Sequence, residues 1–327
     1  MSGVNLLLPT ELQPGQVSPD RAAFLHMHLA GETMGTNWSA TWFALPGLDP
    51  EDIRKEFEAL FERTILSMSP WESASLISSF NALPAGAELQ VDTAFEEVLR
   101  AGLRLARLTD GAFDPCLGGA VMRNGFGAAG IGTGTDGTAH GPDIWDRLFG
   151  RSEHIRQPGG VTLDLSAIAK GYAVDRMADI LEARGVSQYL IEIGGEFVAS
   201  GVKPDRSPWW LDLETRTETE APWRLALIDG ALATSGDYRQ FAVRQGTRIS
   251  HIVGDKARET AHGDLASVSV LAGNCMDADG WATALFACGD RRGLDLADAH
   301  AIKAIFQYRD APARLSAALM RMADRAD

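Results

Sequence analysis

The spacing of apolar residues in the first third of the chain predicts two amphipathic helices. The first begins at Asp49, with Pro50 in its first turn, where the missing N–H removes no hydrogen bond. The second begins at a capping box of Thr93 and Glu96 and ends before Gly111. The apolar positions are Ile53, Phe57, Leu60, Phe61 and Ile65 in the first helix, and Leu99, Leu103 and Ala106 in the second. We expect both helices to flank a sheet.

Short apolar and β-branched runs in the second half predict that sheet. The predicted strands cover residues 161–165, 189–193, 209–213, 223–228, 231–234, 241–244, 248–253, 267–271 and 301–308. A helix capped by Ser166 and ended by Gly185 follows the first of them, and a later helix begins after Asn274 and ends near Gly289. The fold class is therefore predicted to be α+β, with helices around a mostly antiparallel sheet.

Composition and charge exclude some classes of partner. The chain has 327 residues and no apolar run long enough to predict a membrane span. Its net charge of −14 argues against nucleic acid, which requires basic clusters. The N-terminus has no basic region of the kind that opens a secretory signal, and Cys116, Cys275 and Cys288 show no CxxC spacing. We expect a cytoplasmic protein.

One lysine stands where a helix should disfavour it. Lys170 is predicted in the first turn of the helix that Ser166 caps, where a cation opposes the helix dipole. An anion such as phosphate, held between the lysine and the backbone N–H groups, would remove this conflict. The alternatives are a lysine that extends into solvent or pairs with Asp164.

Asp279 and Thr283 lie four residues apart and so share a helix face. A carboxylate and a hydroxyl there could hold a hard cation, with phosphate oxygens and waters completing its shell. The alternative is an acidic residue that complements the helix dipole on a solvent-facing surface, worth only ~0.3–1 kcal/mol. His251, which follows a predicted strand, is either a general base or an ordinary polar residue.

Two further segments are typical of turns when taken alone. Residues 194–196 read Gly-Gly-Glu and predict a hairpin, and residues 234–238 read Thr-Ser-Gly-Asp-Tyr. Neither points to chemistry without other information.

The order of these segments resembles the ApbE family, the FAD:protein FMN transferases. The matching blocks are residues 33–36, 68–71 with 78–81, 111–115, 163–175, 193–196, 233–238, 250–251 and 276–285. They extend over most of the chain, so the resemblance depends on their number and order rather than on any one motif.

The resemblance implies a compact, two-lobed fold over residues 31–310, with an N-terminal extension at 1–30 and a C-terminal helical tail at 311–327. FAD is expected in the crevice between the lobes. The residues implied to contact FAD are Met34, Trp71, Ala112, Phe113, Asp114, Asp164, Lys170 and Val253. The implied Mg²⁺ ligands are the side chains of Asp279 and Thr283 and the backbone oxygen of Ala167, and His251 is implied to lie beside the reacting phosphate.

The implied activity is transfer of FMN from FAD, through a phosphoester, to a Thr or Ser hydroxyl of an acceptor flavoprotein subunit, with release of AMP. One alternative is a family member that binds or hydrolyses FAD without transferring FMN to protein. It is motivated by segment 254–258, which reads Gly-Asp-Lys-Ala-Arg where the family typically has Asp-Pro-any-Thr-Gly. We expect this change to weaken transfer more than FAD binding. A second alternative is a redox or non-catalytic flavin-binding protein.

Overall fold

A computed structural model describes residues 3–10, 24–128, 141–150, 153–214, 220–237, 241–244, 247–253 and 264–324. The unusual segment 254–258 lies outside the described residues. The helices in the described part are α1 (Pro50–Met68), α2 (Leu76–Asn81), α3 (Thr93–Leu108), α4 (Gly118–Arg123), α5 (Pro142–Trp145), α6 (Ala169–Ala183), α7 (Cys275–Cys288), α8 (Asp290–Ala299) and α9 (Ala317–Met320).

The strands in the same part of the chain are mostly short. They are β1 (Asn5–Leu7), β2 (Leu25–Thr33), β3 (Thr36–Ala44), β4 (Glu88–Gln90), β5 (His154–Arg156), β6 (Tyr189–Ile193), β7 (Glu196–Ser200), β8 (Trp209–Leu213), β9 (Trp223–Leu227), β10 (Gly230–Gly236), β11 (Phe241–Arg244), β12 (Thr247–Ser250), β13 (Leu265–Ala272), β14 (Lys303–Tyr308), β15 (Arg314–Leu315) and β16 (Ala323–Asp324).

The large sheet has eight strands in the order β15-β14-β13-β10-β7-β6-β3-β2. Every neighbouring pair in it is antiparallel, which confirms the predicted α+β class and its antiparallel sheet. The Gly194-Gly195 turn joins β6 to β7 as predicted, and both glycines have positive φ, 63° and 105°. Only glycine adopts such a pair at little cost.

A second sheet uses both ends of the chain. Its order is β16-β1-β9-β8, and β1 pairs in parallel with β9 and antiparallel with β16. The region expected as an N-terminal extension therefore contributes a strand to the fold. The expected helical tail contains α9, which is only four residues long, between the strands β15 and β16.

Three apolar clusters hold these layers together. One surrounds Trp42, Phe57 and Met177, between the large sheet and the helices α1 and α6. Another surrounds Phe95 and Phe286 and joins α3 to α7, while a third, which includes Trp223 of β9 and Leu232 of β10, lies between the two sheets. None of the described helices is both long enough and apolar enough to cross a bilayer.

Most predicted helices and strands are present, but two helix starts differ from prediction. The cap of α3 is Asp92, whose side chain accepts the Phe95 N–H at 2.7 Å, so Thr93 is already helical and does not form the predicted capping box. The helix α6 begins at Ala169 and Ser166 does not cap it. The reason is a turn in which the Asp164 side chain accepts the Ser166 N–H at 2.9 Å.

The predicted strand at 161–165 is also wrong. Only Thr162 pairs with a neighbour, in an isolated bridge to Leu117. The backbone of this segment instead bonds to side chains and loops. The Asn81 carboxamide accepts the Leu163 N–H at 2.7 Å and donates to its carbonyl at 2.9 Å, and the Asp164 N–H bonds to the Pro115 carbonyl at 2.8 Å.

Candidate active site

A cavity of about 830 Å³ collects every site residue that the sequence suggested. This volume falls within the ~300–1,000 Å³ typical of small-molecule sites. The predicted residues that line it are Met34, Trp71, Ala112, Phe113, Asp114, Asp164, Ala167, Lys170, His251, Val253, Asp279 and Thr283. They come from widely separated segments, so the fold brings them together.

The floor of the cavity holds three ionisable side chains: the buried carboxyl groups of Glu196 and Asp279 and the partly exposed Lys170. The Lys170 ammonium lies 2.6 Å from Oε1 of Glu196, so its carboxylate partner is Glu196 rather than Asp164, and its side chain is still partly exposed to solvent. Burial lowers the pKa of Lys170, but the charges of Glu196 and Asp279 raise it more, and the net shift is upward. The lysine is therefore held in its charged form, ready to face an anion.

The two carboxylates of this cluster are costly to ionise together. Burial raises the pKa of Glu196 to about 8 despite the opposing effect of Lys170, and the charge of Asp279 adds to the rise. Burial likewise raises the pKa of Asp279 to about 6, against Lys170 and a hydrogen bond from the Gly171 N–H. One ammonium is not enough to balance two desolvated carboxylates.

Asp279 differs from the solvent-facing alternative that the sequence allowed. It lies in the second turn of α7 and is only 3% exposed. Its Oδ2 accepts the Gly171 N–H of α6 at 3.0 Å. The carboxylate is therefore a buried link between two helices rather than a surface complement to the dipole.

The oxygen atoms that line the cavity together with Asp279 are of the kind that fits a hard cation such as Mg²⁺. Thr283 Oγ1 lies 2.9 Å from Ser235 Oγ of β10, and both residues line the cavity. Two further buried oxygens, Ser166 Oγ and Glu196 Oε2, have no hydrogen-bond partner in the described structure. Carboxylate, hydroxyl and carbonyl oxygens are the ligands that Mg²⁺ prefers. Among the described residues no set of three His, Cys, Asp or Glu side chains forms a metal cluster, so hydroxyl and backbone oxygens would complete the shell.

The helices that carry this cluster approach each other unusually closely. A Cβ on Gly171 of α6 would lie 2.4 Å from the Cys275 carbonyl oxygen at the start of α7. The Asp175 carboxylate accepts the N–H groups of Cys275 and Met276 at 2.7 and 2.9 Å and so caps α7 from α6. Glycine at 171 therefore permits the close approach that brings the lysine and the aspartate to the same floor.

The rim of the cavity presents apolar groups, of which Trp71 is exposed and Met34 is partly buried. Trp71 is 61% exposed although it lines the cavity. Met34 occupies the β2–β3 turn with φ of 48°, followed by Gly35 at 73°. A positive φ at a residue other than glycine costs ~1–3 kcal/mol and is concentrated at functional sites. An aromatic face and a flexible thioether at the mouth suit a flat aromatic ligand.

Asp114 and Asp164 line the cavity, but their described contacts are with the protein. Asp114 accepts the Cys116 N–H at 2.8 Å, the Trp145 indole N–H at 3.0 Å and the Gly141 N–H at 3.3 Å. These bonds hold the loop that also presents Ala112 and Phe113. Contact of either carboxylate with FAD remains a prediction.

His251 reaches the cavity from the hairpin β11–β12, which forms a sheet of its own. Its ring lies 6.1 Å from the Phe126 ring, edge to face. The hairpin is tied to the large sheet by Asp237, which is 2% exposed, accepts the Arg248 Nε–H at 3.1 Å and also pairs with Arg309. Arg248 thus links β12, the strand that directly precedes His251, to the residue that follows β10.

Three residues of the site and its support have roles that the sequence did not reveal: Glu196, Ser235 and Asp237. Each stands in a segment that was interpreted as a turn. Glu196 is the first residue of β7, and residues 234–236 belong to β10 rather than to a turn. Their chemistry follows from burial and partners, which are properties of the folded chain.

An antiparallel α+β scaffold whose cavity has an ionisable floor and an aromatic rim defines a small-molecule-binding class of protein. The model of the ApbE family matches residues 34–306, and the chain therefore belongs to the ApbE family. The FAD:protein FMN transferase of Vibrio cholerae is 33% identical over 291 residues, which cover 84% of this chain and 85% of the relative. The corresponding protein of Haemophilus influenzae is 30% identical, with 83% of each chain covered.

Solved structures agree with this assignment. The flavin transferase ApbE from Vibrio cholerae superposes with a TM-score of 0.80 at 30% identity, covering 91% of this chain and 99% of that one. The apo form of the Pseudomonas stutzeri flavinyl transferase ApbE gives a TM-score of 0.81 at 31% identity, covering 93% and 98%.

Proposed function

We propose that this protein is an FAD:protein FMN transferase, which moves the FMN half of FAD onto a Thr or Ser hydroxyl of an acceptor flavoprotein subunit. The observation that carries the proposal is the convergence of every implied FAD and cation position on one cavity. Family membership and relatives named for this activity support it. A cytoplasmic location and an acceptor with a Thr or Ser target are part of the proposal.

In the proposed reaction, the acceptor hydroxyl oxygen attacks the phosphorus on the FMN side of the FAD pyrophosphate. A new P–O bond forms to the acceptor, the bond to the bridging oxygen breaks, and AMP leaves with that oxygen. His251 would take the hydroxyl proton, since it reaches the same cavity from β12. Lys170 would neutralise part of the phosphate charge.

Asp279, Thr283 and the backbone oxygen of Ala167 would hold Mg²⁺. When bound, the cation neutralises the charge that develops on the phosphate oxygens during transfer. The need for it follows from the cavity itself. The described lining carries the carboxylates of Glu72, Asp114, Asp164, Glu196 and Asp279 and the single ammonium of Lys170, before a pyrophosphate adds two more negative charges.

The test is incubation of the purified protein with FAD, Mg²⁺ and an acceptor that carries a Thr target. We expect the acceptor to gain the mass of FMN less one water, with one AMP released for each FMN transferred. An acceptor with the target Thr replaced by Val is the control and should gain nothing. Unchanged AMP release after chelation would overturn the metal assignment.

Hydrolysis of FAD to FMN and AMP is the second candidate, because segment 254–258, which begins three residues after His251, departs from the family sequence. The same incubation separates the two activities. AMP release with free FMN and an unmodified acceptor would favour hydrolysis, and no AMP release with retained FAD binding would favour a flavin-binding protein.

A further inference from the structure

The buried carboxyl group of Glu196 has one oxygen with no hydrogen-bond partner among the described residues. Glu196 is 2% exposed, and its Oε1 lies 2.6 Å from the Lys170 ammonium. Its Oε2 is buried and has no hydrogen-bond partner among the described residues. A buried carboxyl oxygen without a partner is costly, and in native proteins it commonly indicates an ion or water.

The charges around Glu196 indicate the sign of the missing partner. Lys170 is the single Lys or Arg among the described residues that line the cavity, and it already bonds to the other oxygen of Glu196. Glu196, Asp279 and Lys170 together carry one negative charge in excess when all are ionised. An anion at Oε2 would add to this excess, whereas a cation would remove it.

The position of Glu196 in the fold is rigid. It is the first residue of β7 and pairs with Ile193 across the Gly194-Gly195 turn. The Glu192 side chain accepts the Gly195 N–H at 2.8 Å and so supports the same turn. The carboxylate is thus fixed on the large sheet, opposite the helices that carry Asp279 and Lys170, and an oxygen held in this way is suited to a metal site.

We propose that Glu196 is a second carboxylate of the cation site at Asp279 and Thr283, and that the same side chain positions Lys170 for the phosphate. Its two oxygens have separate tasks: Oε1 fixes the ammonium and Oε2 faces the cation. This proposal rests on the proposed function for the location of the cation, but it concerns binding of the metal itself.

The experiment is a titration of the protein with Mn²⁺ alone, without FAD. Binding is measured by calorimetry and, separately, by the decrease in the electron paramagnetic resonance signal of free Mn²⁺. Glu196→Gln keeps the size of the side chain but removes its charge. We expect it to weaken Mn²⁺ binding ~10- to 100-fold, the usual effect of losing a partner of a metal site. Glu192→Gln is the matched control. It removes the same charge from the same hairpin, its amide oxygen can still accept the Gly195 N–H, and we expect parental affinity.

Glu196→Asp is a second variant, which keeps the proposal testable if Glu196→Gln does not fold. It keeps the charge but shortens the side chain, so its Mn²⁺ affinity should lie between those of the parent and Glu196→Gln. Parental Mn²⁺ affinity in both Glu196 variants would overturn the proposal. Weaker FAD binding with unchanged Mn²⁺ binding would also overturn it, since Glu196 would then act only through Lys170.

The outcome is distinguishable from failure of the proposed function. FMN transfer by the parent is measured separately, so a parent that binds Mn²⁺ through Glu196 but transfers nothing would refute the transferase and leave the cation site standing. A parent that transfers FMN but binds no Mn²⁺ in the absence of FAD would contradict the Glu196 proposal.

Discussion

Replacement of Asp279 separates its structural task from its proposed metal-binding task. The side chain is buried, and its Oδ2 accepts the Gly171 N–H at 3.0 Å. Asp279→Ala leaves that N–H buried without a partner, which costs ~1–3 kcal/mol. The substitution also removes a repulsion from Glu196 and an attraction to Lys170, which act in opposite directions, so the lost hydrogen bond sets the expected decrease of ~1–3 kcal/mol in the free energy of unfolding.

Asp279→Asn provides the comparison, because its amide oxygen can still accept the Gly171 N–H. We expect it to lose less than ~1 kcal/mol of stability. Both variants should lose FAD cleavage, since neither offers a carboxylate to a cation. The two variants should therefore differ in stability but not in activity. Asp279→Ala should be the less stable of the two, and both should be inactive.

The assays are urea unfolding followed by tryptophan fluorescence, and AMP release from FAD with Mg²⁺. If Asp279→Asn cleaves FAD like the parent, the carboxylate is not a metal ligand. If Asp279→Ala is as stable as the parent, the hydrogen bond to Gly171 does not contribute to the fold. Either result would refute the corresponding half of the reasoning.

Other predictions concern the rim, the hairpin and the interface between α6 and α7. Trp71→Ala should weaken FAD binding ~10-fold, by loss of ~1 kcal/mol or more of aromatic contact, whereas Trp71→Phe should bind nearly normally in a fluorescence titration. Asp237→Asn should lower kcat ~10-fold with little change in FAD affinity, because it loosens the hairpin that positions His251; equal kcat in steady-state assays would argue against this. Burial raises the pKa of Asp175 to about 6 from 3.8, against the hydrogen bonds from Cys275 and Met276, so its contribution to stability is present below pH 3.8 and lost as the pH rises through about 6. Stability of the parent relative to Asp175→Asn should therefore decrease by ~1–3 kcal/mol across this range in urea unfolding, and a constant difference would contradict the shift.

Local sequence signals correctly predicted helix starts that depend on a few neighbouring residues. The proline at 50 and the cap at Asn274 mark the starts of α1 and α7, and the Asn274 side chain accepts the Asp277 N–H as expected. The signals failed at 161–165, where the residues have strand propensity but bond to Asn81 and to a loop. Strand propensity does not state which partner a segment will find.

The sequence predicted residues that line one cavity, but it did not predict the electrostatics of that cavity, and the binding roles of these residues stay predictions. Resemblance to a family supplied the positions that line the cavity, whereas local sequence placed Lys170 correctly in the first turn of α6 without identifying its partner. That partner, Glu196, is 26 residues away along the chain and adjacent only after β7 joins the large sheet. Burial and ion pairs between distant segments determine which carboxylate is costly to ionise. A short sequence motif predicts neither of them.

The close approach of α6 and α7 connects the fold to the proposed chemistry. A side chain at position 171 would strike the Cys275 carbonyl, so glycine there lets the N-terminal turns of the two helices meet. The Gly171 N–H then reaches Asp279, and the adjacent Lys170 reaches Glu196 across the same floor. Both bonds arise from neighbouring residues of one helix turn, so a shift of that turn would displace the ammonium and the carboxylate together. The Lys170 ammonium, the Asp279 carboxylate and the proposed cation are therefore positioned as one unit, and the backbone contact at Gly171 allows their close approach.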